Sequence, residues 1–400
     1  MRKQFGAICI VAGTSIGAGV IALPMVLAAI GLVPTVFLLA VTWWIMYRSA
    51  LVNLELVLQS GKCLDIGSLG KLYGGSAVSF FGEGLLLALM YSLIGAYFYG
   101  FASLLCQMFA IGRGFHAVIV VALALSFIYL MTLPIQWLDR VNRAIFIAML
   151  FAGTLLTFRL CGSGSFHWTL ALPSDRSAAK WFVAIPVVFT SFGFQVIIAA
   201  LSDYCAMDAK VLCRAFFWGS LIAALAYCTW IWATLLTIGA HSPSFYGKMV
   251  SGSVDVGAFV DELSSIGGGP VKWLVWIISI SAIGTSVIGV GMGLCNSIER
   301  HLRWDGMPKF IKARGALAIL AAAPAATLAV VVPRAFTTVL GFAGVISAML
   351  ALFIPIYLLR RCAPADGKVF YLAARRGGTR TMLLLSGIAV VGSELLHFFI

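Results

Sequence analysis

Apolar residues run along this chain in long blocks, separated by short polar connections. Eleven blocks approach the length of a membrane-crossing helix, roughly 20 apolar residues. They cover 5–30, 33–57, 78–111, 118–135, 141–160, 182–201, 216–238, 271–298, 316–332, 336–359 and 382–399. A chain inside lipid must satisfy its backbone hydrogen bonds internally, so each block predicts a transmembrane α-helix. The third is long enough to tilt steeply or to extend past the hydrocarbon. The pattern predicts an all-α integral membrane protein with 11 transmembrane helices and no soluble domain. The longest connections are 161–181 and 239–272; the second contains a short surface helix at 254–263.

Two blocks are interrupted. The first reads Ala12-Gly13-Thr14-Ser15-Ile16-Gly17-Ala18-Gly19-Val20, and its three glycines weaken a helix at mid-depth. The sixth reads Ile185-Pro186-Val187-Val188-Phe189-Thr190-Ser191-Phe192-Gly193-Phe194-Gln195, where Pro186 removes a backbone donor and Gly193 permits unwinding. Non-helical backbone at that depth is tolerated only where protein buries it or it lines a cavity. Matching breaks five spans apart point to a transporter built from two inverted repeats. The expected organisation is a first five-helix repeat over 1–161, a second over 180–360 and an eleventh helix over 380–400. The competing explanation is a pair of kinked packing helices.

Composition agrees with lipid as the solvent: 62% of residues are apolar and 10% charged, against about 25% charged in soluble proteins. The net charge of +13 would suit nucleic acid. Its distribution instead follows the positive-inside rule. With Arg2 and Lys3 in the cytoplasm, the even-numbered connections lie inside. These hold most of the cations, including Arg300, Arg303, Lys309, Lys312 and Arg314, then Arg360, Arg361, Lys368, Arg375, Arg376 and Arg380. The N-terminus is therefore expected inside and the C-terminus outside. Nine cysteines without CxxC spacing predict neither a disulfide framework nor a metal site. The opening block is long for a signal peptide, and its centre is rich in Gly, Thr and Ser.

Charge placement narrows the ligand. Glu55, Glu83, Asp139, Asp203 and Glu299 fall near predicted inner span ends, and Glu394 lies in the last span. The central slab is nearly free of ionisable side chains, which are costly there. A permanently charged substrate would lack a partner, but a zwitterion would not. Its carboxylate can take N–H groups from a half-helix beginning near Ala18 and Gly19. Its ammonium can take freed carbonyls and the hydroxyls of Ser15 and Ser191. An amino acid is the simplest molecule that fits.

Tyr91, Tyr97 and Tyr99 in the third span offer hydroxyls to a carboxylate or form an aromatic packing surface; Gly95 and Gly100 allow close approach. Phe192 and Phe194 flank Gly193 and are candidate walls for an apolar side chain. The eighth span carries Ser279, Ser281, Ala282, Thr285, Ser286 and Asn296. These hydroxyls either bond their own helix or glue helices together, or supply oxygens to Na⁺.

The first-span and sixth-span motifs, with Leu340-Gly341-Phe342-Ala343-Gly344-Val345 in the tenth, resemble the bacterial tyrosine- and tryptophan-specific permeases of the hydroxy and aromatic amino acid permease family. The similarity runs along almost the whole chain. It implies the leucine-transporter fold, a 5+5 inverted repeat plus one extra helix, and import of aromatic amino acids across a bacterial inner membrane. Matched by motif, Ser15, Ala18 and Gly19 would hold the substrate's polar ends, and Ser191 and Phe194 would supply sixth-span contacts. Gly13 and Ile16 through carbonyls, with Ala282, Thr285 and Ser286, match a sodium site of sodium-coupled members. The resemblance implies proton coupling instead, and in some proton-coupled members of the wider superfamily a fifth-helix lysine replaces that sodium. No Lys or Arg occurs from 144 to 158 here. The coupling ion is thus H⁺ on another group, Glu83 being a candidate, or Na⁺ near Thr285–Ser286. No cofactor is expected. Partners are the amino acid and membrane lipid, with no nucleic acid and no obligate protein partner.

Three other readings bound this one. The substrate is another large neutral amino acid; the chain is a membrane-embedded enzyme; or it is a channel. An enzyme needs acid, base or metal-ligand residues, and His116, His167, His241, His301 and His397 form no ligand-spaced cluster. A channel favours a continuous polar pore, which the spans do not offer.

Overall fold

The computed structural model describes residues 2–17, 19–161, 170–172, 178–267, 269–302, 314–332, 335–363 and 369–399. Every regular element among them is helical. In chain order these are α1 (Arg2–Ser15), α2 (Gly19–Leu27), α3 (Leu32–Ser60), α4 (Ile66–Gly74), α5 (Ser76–Met108), α6 (His116–Thr132), α7 (Ile135–Cys161), α8 (Ala178–Ser191) and α9 (Ile198–Tyr204). Then follow α10 (Ala209–His241), α11 (Pro243–Ser251), α12 (Val256–Gly267), α13 (Gly269–Leu302), α14 (Arg314–Val331), α15 (Ala335–Ala348), α16 (Ile354–Arg361), α17 (Leu372–Arg375) and α18 (Gly377–Phe399). Among the described residues nine helices are long and apolar enough to cross a membrane, and ten spans result if the bent pair α1–α2 is one. α6, at 17 residues, is shorter and falls on the fourth predicted block.

The first break is narrower than the glycine pattern predicts. Gly13 stays helical inside α1; the chain leaves the helix after Ser15 and resumes at Gly19, bent by 51°. One glycine costs a helix about 1 kcal/mol relative to alanine, and packing on α10 holds α1 regular through Gly13. The two helices approach closely at Gly219. A Cβ there would stand 2.8 Å from the Ile8 carbonyl and 2.6 Å from Val11 Cβ.

The second break falls where predicted. α8 ends at Ser191, a 3-10 turn covers Phe194–Ile197, and α9 follows. Pro186 does not make this break. It sits inside α8, and Thr190 Oγ1 lies 2.9 Å from the Pro186 carbonyl and 3.0 Å from the Leu340 carbonyl on α15, with one proton to donate between them. The tenth block is not one continuous α-helix. A π-helical turn, Met349–Phe353, joins α15 to α16, and Ser49 Oγ of α3 donates to the Ala351 carbonyl inside it at 2.5 Å.

Around the breaks, α2 packs on α8, α8 on α15, and α5 on α13, α14 and α15. α14 presents Leu317, Ala318, Ala321, Ala322, Ala325 and Ala329 as a buried stripe toward α5 and α6. Small residues let membrane helices approach closely. The predicted surface helix forms as α12, capped by Asp255, whose Oδ1 accepts from the Ala258 amide at 2.8 Å. Phe259, Val260 and Leu263 are buried, so α12 lies against α5 and α13 across the end predicted to face outside.

Candidate functional site

Breaking a helix leaves carbonyls at one end and amides at the other without intrahelical partners. Here the two breaks face each other. A Cβ added to Gly19, the first residue of α2, would stand 2.7 Å from Ser191 Oγ at the end of α8. Between them reaches Tyr227 of α10, 1% exposed. Its hydroxyl donates to the Ser15 carbonyl at 2.5 Å and lies 3.2 Å from the Ser191 carbonyl. One phenol thus bridges the carboxyl ends of both half-helices. α10 is positioned for this by Asp208, whose Oδ1 caps it through the Lys210 and Val211 amides.

A second donor serves the same region. Pro24 has no N–H, so the carbonyl four residues earlier, Val20, loses its helical partner. Trp230 Nε1, one turn from Tyr227 on α10, donates to that carbonyl at 2.6 Å. At the far end of α2, Tyr246 of α11 donates to the Ala28 carbonyl at 2.8 Å.

The predicted site residues divide into groups. Ser15, Gly19, Ser191 and Phe192 converge: Ser15 is buried, and the Phe192 ring packs edge-on to Tyr227 with centroids 5.7 Å apart. Ser15 Oγ and Ser191 Oγ each donate to their own helix, at the Val11 and Val187 carbonyls, which leaves their lone pairs to accept. Ala18 lies outside the described residues. Phe194 is fully buried and turns toward Phe216 on α10.

Tyr97 is buried within α5. Tyr91 points elsewhere and donates to the Leu320 carbonyl of α14 at 3.0 Å. The α13 hydroxyls bond their own helix, Thr285 to the Ser281 carbonyl at 2.9 Å and Ser286 to the Ala282 carbonyl at 2.8 Å. Ser286 Oγ also abuts the first break, 2.9 Å from a Cβ built on Gly17. Gly13 instead faces the Phe146 ring of α7, 2.9 Å from such a Cβ, and Ile16 is buried, its amide donating to the Ala12 carbonyl. Glu83 lies at the α4–α5 junction, against Gly67, where Oε1 accepts from Ser79 at 3.3 Å.

Residues 1–393 match the tryptophan/tyrosine permease family. The chain belongs to that family. It is 29% identical to the tyrosine-specific transport system 1 of Haemophilus influenzae, over 98% of this chain and 96% of that one. It is 28% identical to the tryptophan-specific transport protein of Pseudomonas aeruginosa, over 96% and 92%. In fold it resembles a solved manganese transporter of Eremococcus coleocola, with a TM-score of 0.62 and 15% identity, over 98% of this chain and 85% of that one. This permease is a multi-pass membrane protein of a transporter family whose members are not enzymes.

Sequence reasoning about the permease missed Tyr227 and Trp230. A signal was present: they stand three apart on one face of the seventh span, and buried Tyr and Trp need acceptors for their polar tips. Broken spans are where membrane acceptors become free. Tyr227→Phe removes the bridging donor and leaves two buried carbonyls under-satisfied, at about 1–3 kcal/mol each. Uptake per folded transporter is expected to fall about tenfold. The check is labelled amino acid uptake in proteoliposomes containing equal amounts of monodisperse protein; an unchanged rate would contradict the bridging role.

Proposed function

We propose that this permease is a secondary transporter that imports aromatic amino acids, tyrosine and tryptophan, down an H⁺ or Na⁺ gradient by alternating access. The observation that carries the reading is the meeting of Gly19 and Ser191 beneath Tyr227. Half-helix ends supply N–H groups to a carboxylate and carbonyls to an ammonium without a charged side chain, which suits a zwitterion at mid-depth. Phe192 and Tyr227 furnish an aromatic wall beside those ends. The names of the relatives support tyrosine and tryptophan as cargo.

In this reading α6 is the fourth of eleven spans, α1 to α7 form one five-span repeat, α8 to α16 form its inverted copy, and α18 is the extra helix. The location is a bacterial inner membrane, with the N-terminus inside. Ser286 beside Gly17 is the part of the candidate sodium cage that approaches the first break most closely.

The test is uptake of labelled tyrosine by purified permease in proteoliposomes, with Na⁺ and pH gradients imposed separately and with tryptophan, phenylalanine and leucine as competitors. Saturable, gradient-dependent uptake competed by the aromatics is expected. Sodium dependence lost in Thr285→Ala assigns the α13 hydroxyls to the ion, and pure pH dependence removes them. Folded protein without saturable uptake refutes transport, and preference for leucine replaces the aromatic cargo.

A further inference from the structure

An apolar cleft of about 320 Å³ lies away from the breaks, between the start of α5 and the π turn with α16. Ala77, Val78, Phe81, Phe353, Ile354 and Tyr357 line it. Phe81 and Tyr357 are exposed, so the cleft opens on the bundle's surface. The end of the bundle is set by charge: α16 closes on Arg360 and Arg361, and the basic connections predict this end at the inner face.

The rim of the cleft is cationic. The Arg361 guanidinium sits over the Tyr357 ring, 4.9 Å from its centroid. Arg360 and Arg361 follow Tyr357 by three and four residues, so both flank its face of the helix. Lys71 is exposed in the last turn of α4, which packs against both α5 and α16. The carboxylates of the neighbouring helices are engaged elsewhere. Glu55 is paired with Arg375, Glu83 Oε1 accepts from Ser79 at 3.3 Å, and Asp65 Oδ1 accepts from the Ser68 amide at 2.9 Å.

We infer that this cleft binds an anionic phospholipid, one acyl chain in the apolar groove and the phosphate on Arg361, with Arg360 and Lys71 beside it. Basic pockets between membrane helices at the cytoplasmic face recognise such headgroups, and a guanidinium fork matches phosphate oxygens. A zwitterionic headgroup brings its own ammonium to three cations and is disfavoured. Two of the lining residues, Phe353 and Ile354, end the π turn and begin α16. The lipid therefore braces the joint at which the tenth span changes helical form, a kind of site that π turns often mark.

The experiment is native mass spectrometry of the full-length permease in detergent, titrated with phosphatidylglycerol and with phosphatidylcholine of the same acyl chains. Phosphatidylglycerol is expected to bind at least about tenfold more tightly. The preference should disappear in Arg360→Gln/Arg361→Gln, whose changes are exposed and leave the fold intact. Ala77→Trp, which fills the groove, should weaken both lipids. Equal binding of the two lipids overturns the inference, as does a preference that survives the arginine changes. The assay requires no transport, so its failure leaves the transport reading standing.

Discussion

Gly19→Leu abolishes uptake while the permease still reaches the membrane and folds: this is the largest functional effect expected of any single substitution. The effect originates in one missing methyl group. A Cβ at Gly19 would stand 2.6 Å from the Tyr227 hydroxyl oxygen, 2.7 Å from Ser191 Oγ and 2.9 Å from Ser191 Cβ. The Ser191 hydroxyl can rotate. Tyr227 cannot withdraw without losing the Ser15 carbonyl, because it is fully buried and its ring is packed on Phe192. Overpacking of this kind costs about 1–3 kcal/mol, which a large bundle can absorb.

Transport is less tolerant, because shifting α2 from α8 by about 1 Å moves the half-helix ends that would hold the substrate, and misplacement on that scale costs on the order of 10²-fold. Gly19→Ala is expected to be milder but still impaired. Gly153→Leu in α7 is the matched control, since a Cβ there meets nothing within 4 Å. The measurement is labelled tyrosine uptake in vesicles, normalised to monodisperse protein. Wild-type uptake by Gly19→Leu would dissociate the break from the binding site.

Much of this geometry was legible along the chain, for a definite reason. Hydrophobic blocks of about 20 residues report helices in lipid because only a helix satisfies its backbone within a single segment there, and the helices found follow the blocks. The sixth-span break was legible too, since Gly193 after Thr190 and Ser191 lowers the cost of leaving the helix. Its proline was misread: a proline frees a carbonyl without ending the helix when neighbours supply donors, and Pro186 remains within α8. Gly13 misled in the same way, because packing on α10 overrides its weak propensity.

What sequence could not disclose was pairing across long separations. Tyr227 finds Ser15 from 212 positions away, and nothing local to either residue announces the other. Tyr91 shows the converse: with Gly95 four residues on, it lies on a face of α5 that packs on α14 rather than on the breaks.

Arg375→Ala is expected to destabilise the permease by about 3–5 kcal/mol, the cost of leaving a buried charge without its partner. Glu55 of α3 is 0% exposed. Its carboxylate accepts from Arg375 Nε at 3.1 Å, the Tyr371 amide at 2.9 Å and Gln59 Nε2 at 2.9 Å. Arg375 also donates through Nη1 to the Cys362 carbonyl just past α16, at 3.0 Å, and the Tyr371 hydroxyl donates to the Ala209 carbonyl at the start of α10. The segment around α17 therefore ties together the ends of α3, α10 and α16.

Along the sequence Glu55 and Arg375 are only charges near one predicted membrane face. Pairing across 320 positions converts them into a clamp on the helix that carries Tyr227. Thermal unfolding in detergent, followed by intrinsic fluorescence, measures the loss. Glu55→Gln/Arg375→Gln removes both charges and should recover a large part of it, because no uncompensated charge remains. If Arg375→Ala melts like the wild type, the pair is not a clamp. If the double variant is as unstable as Arg375→Ala, the loss arises from packing around the guanidinium stem instead.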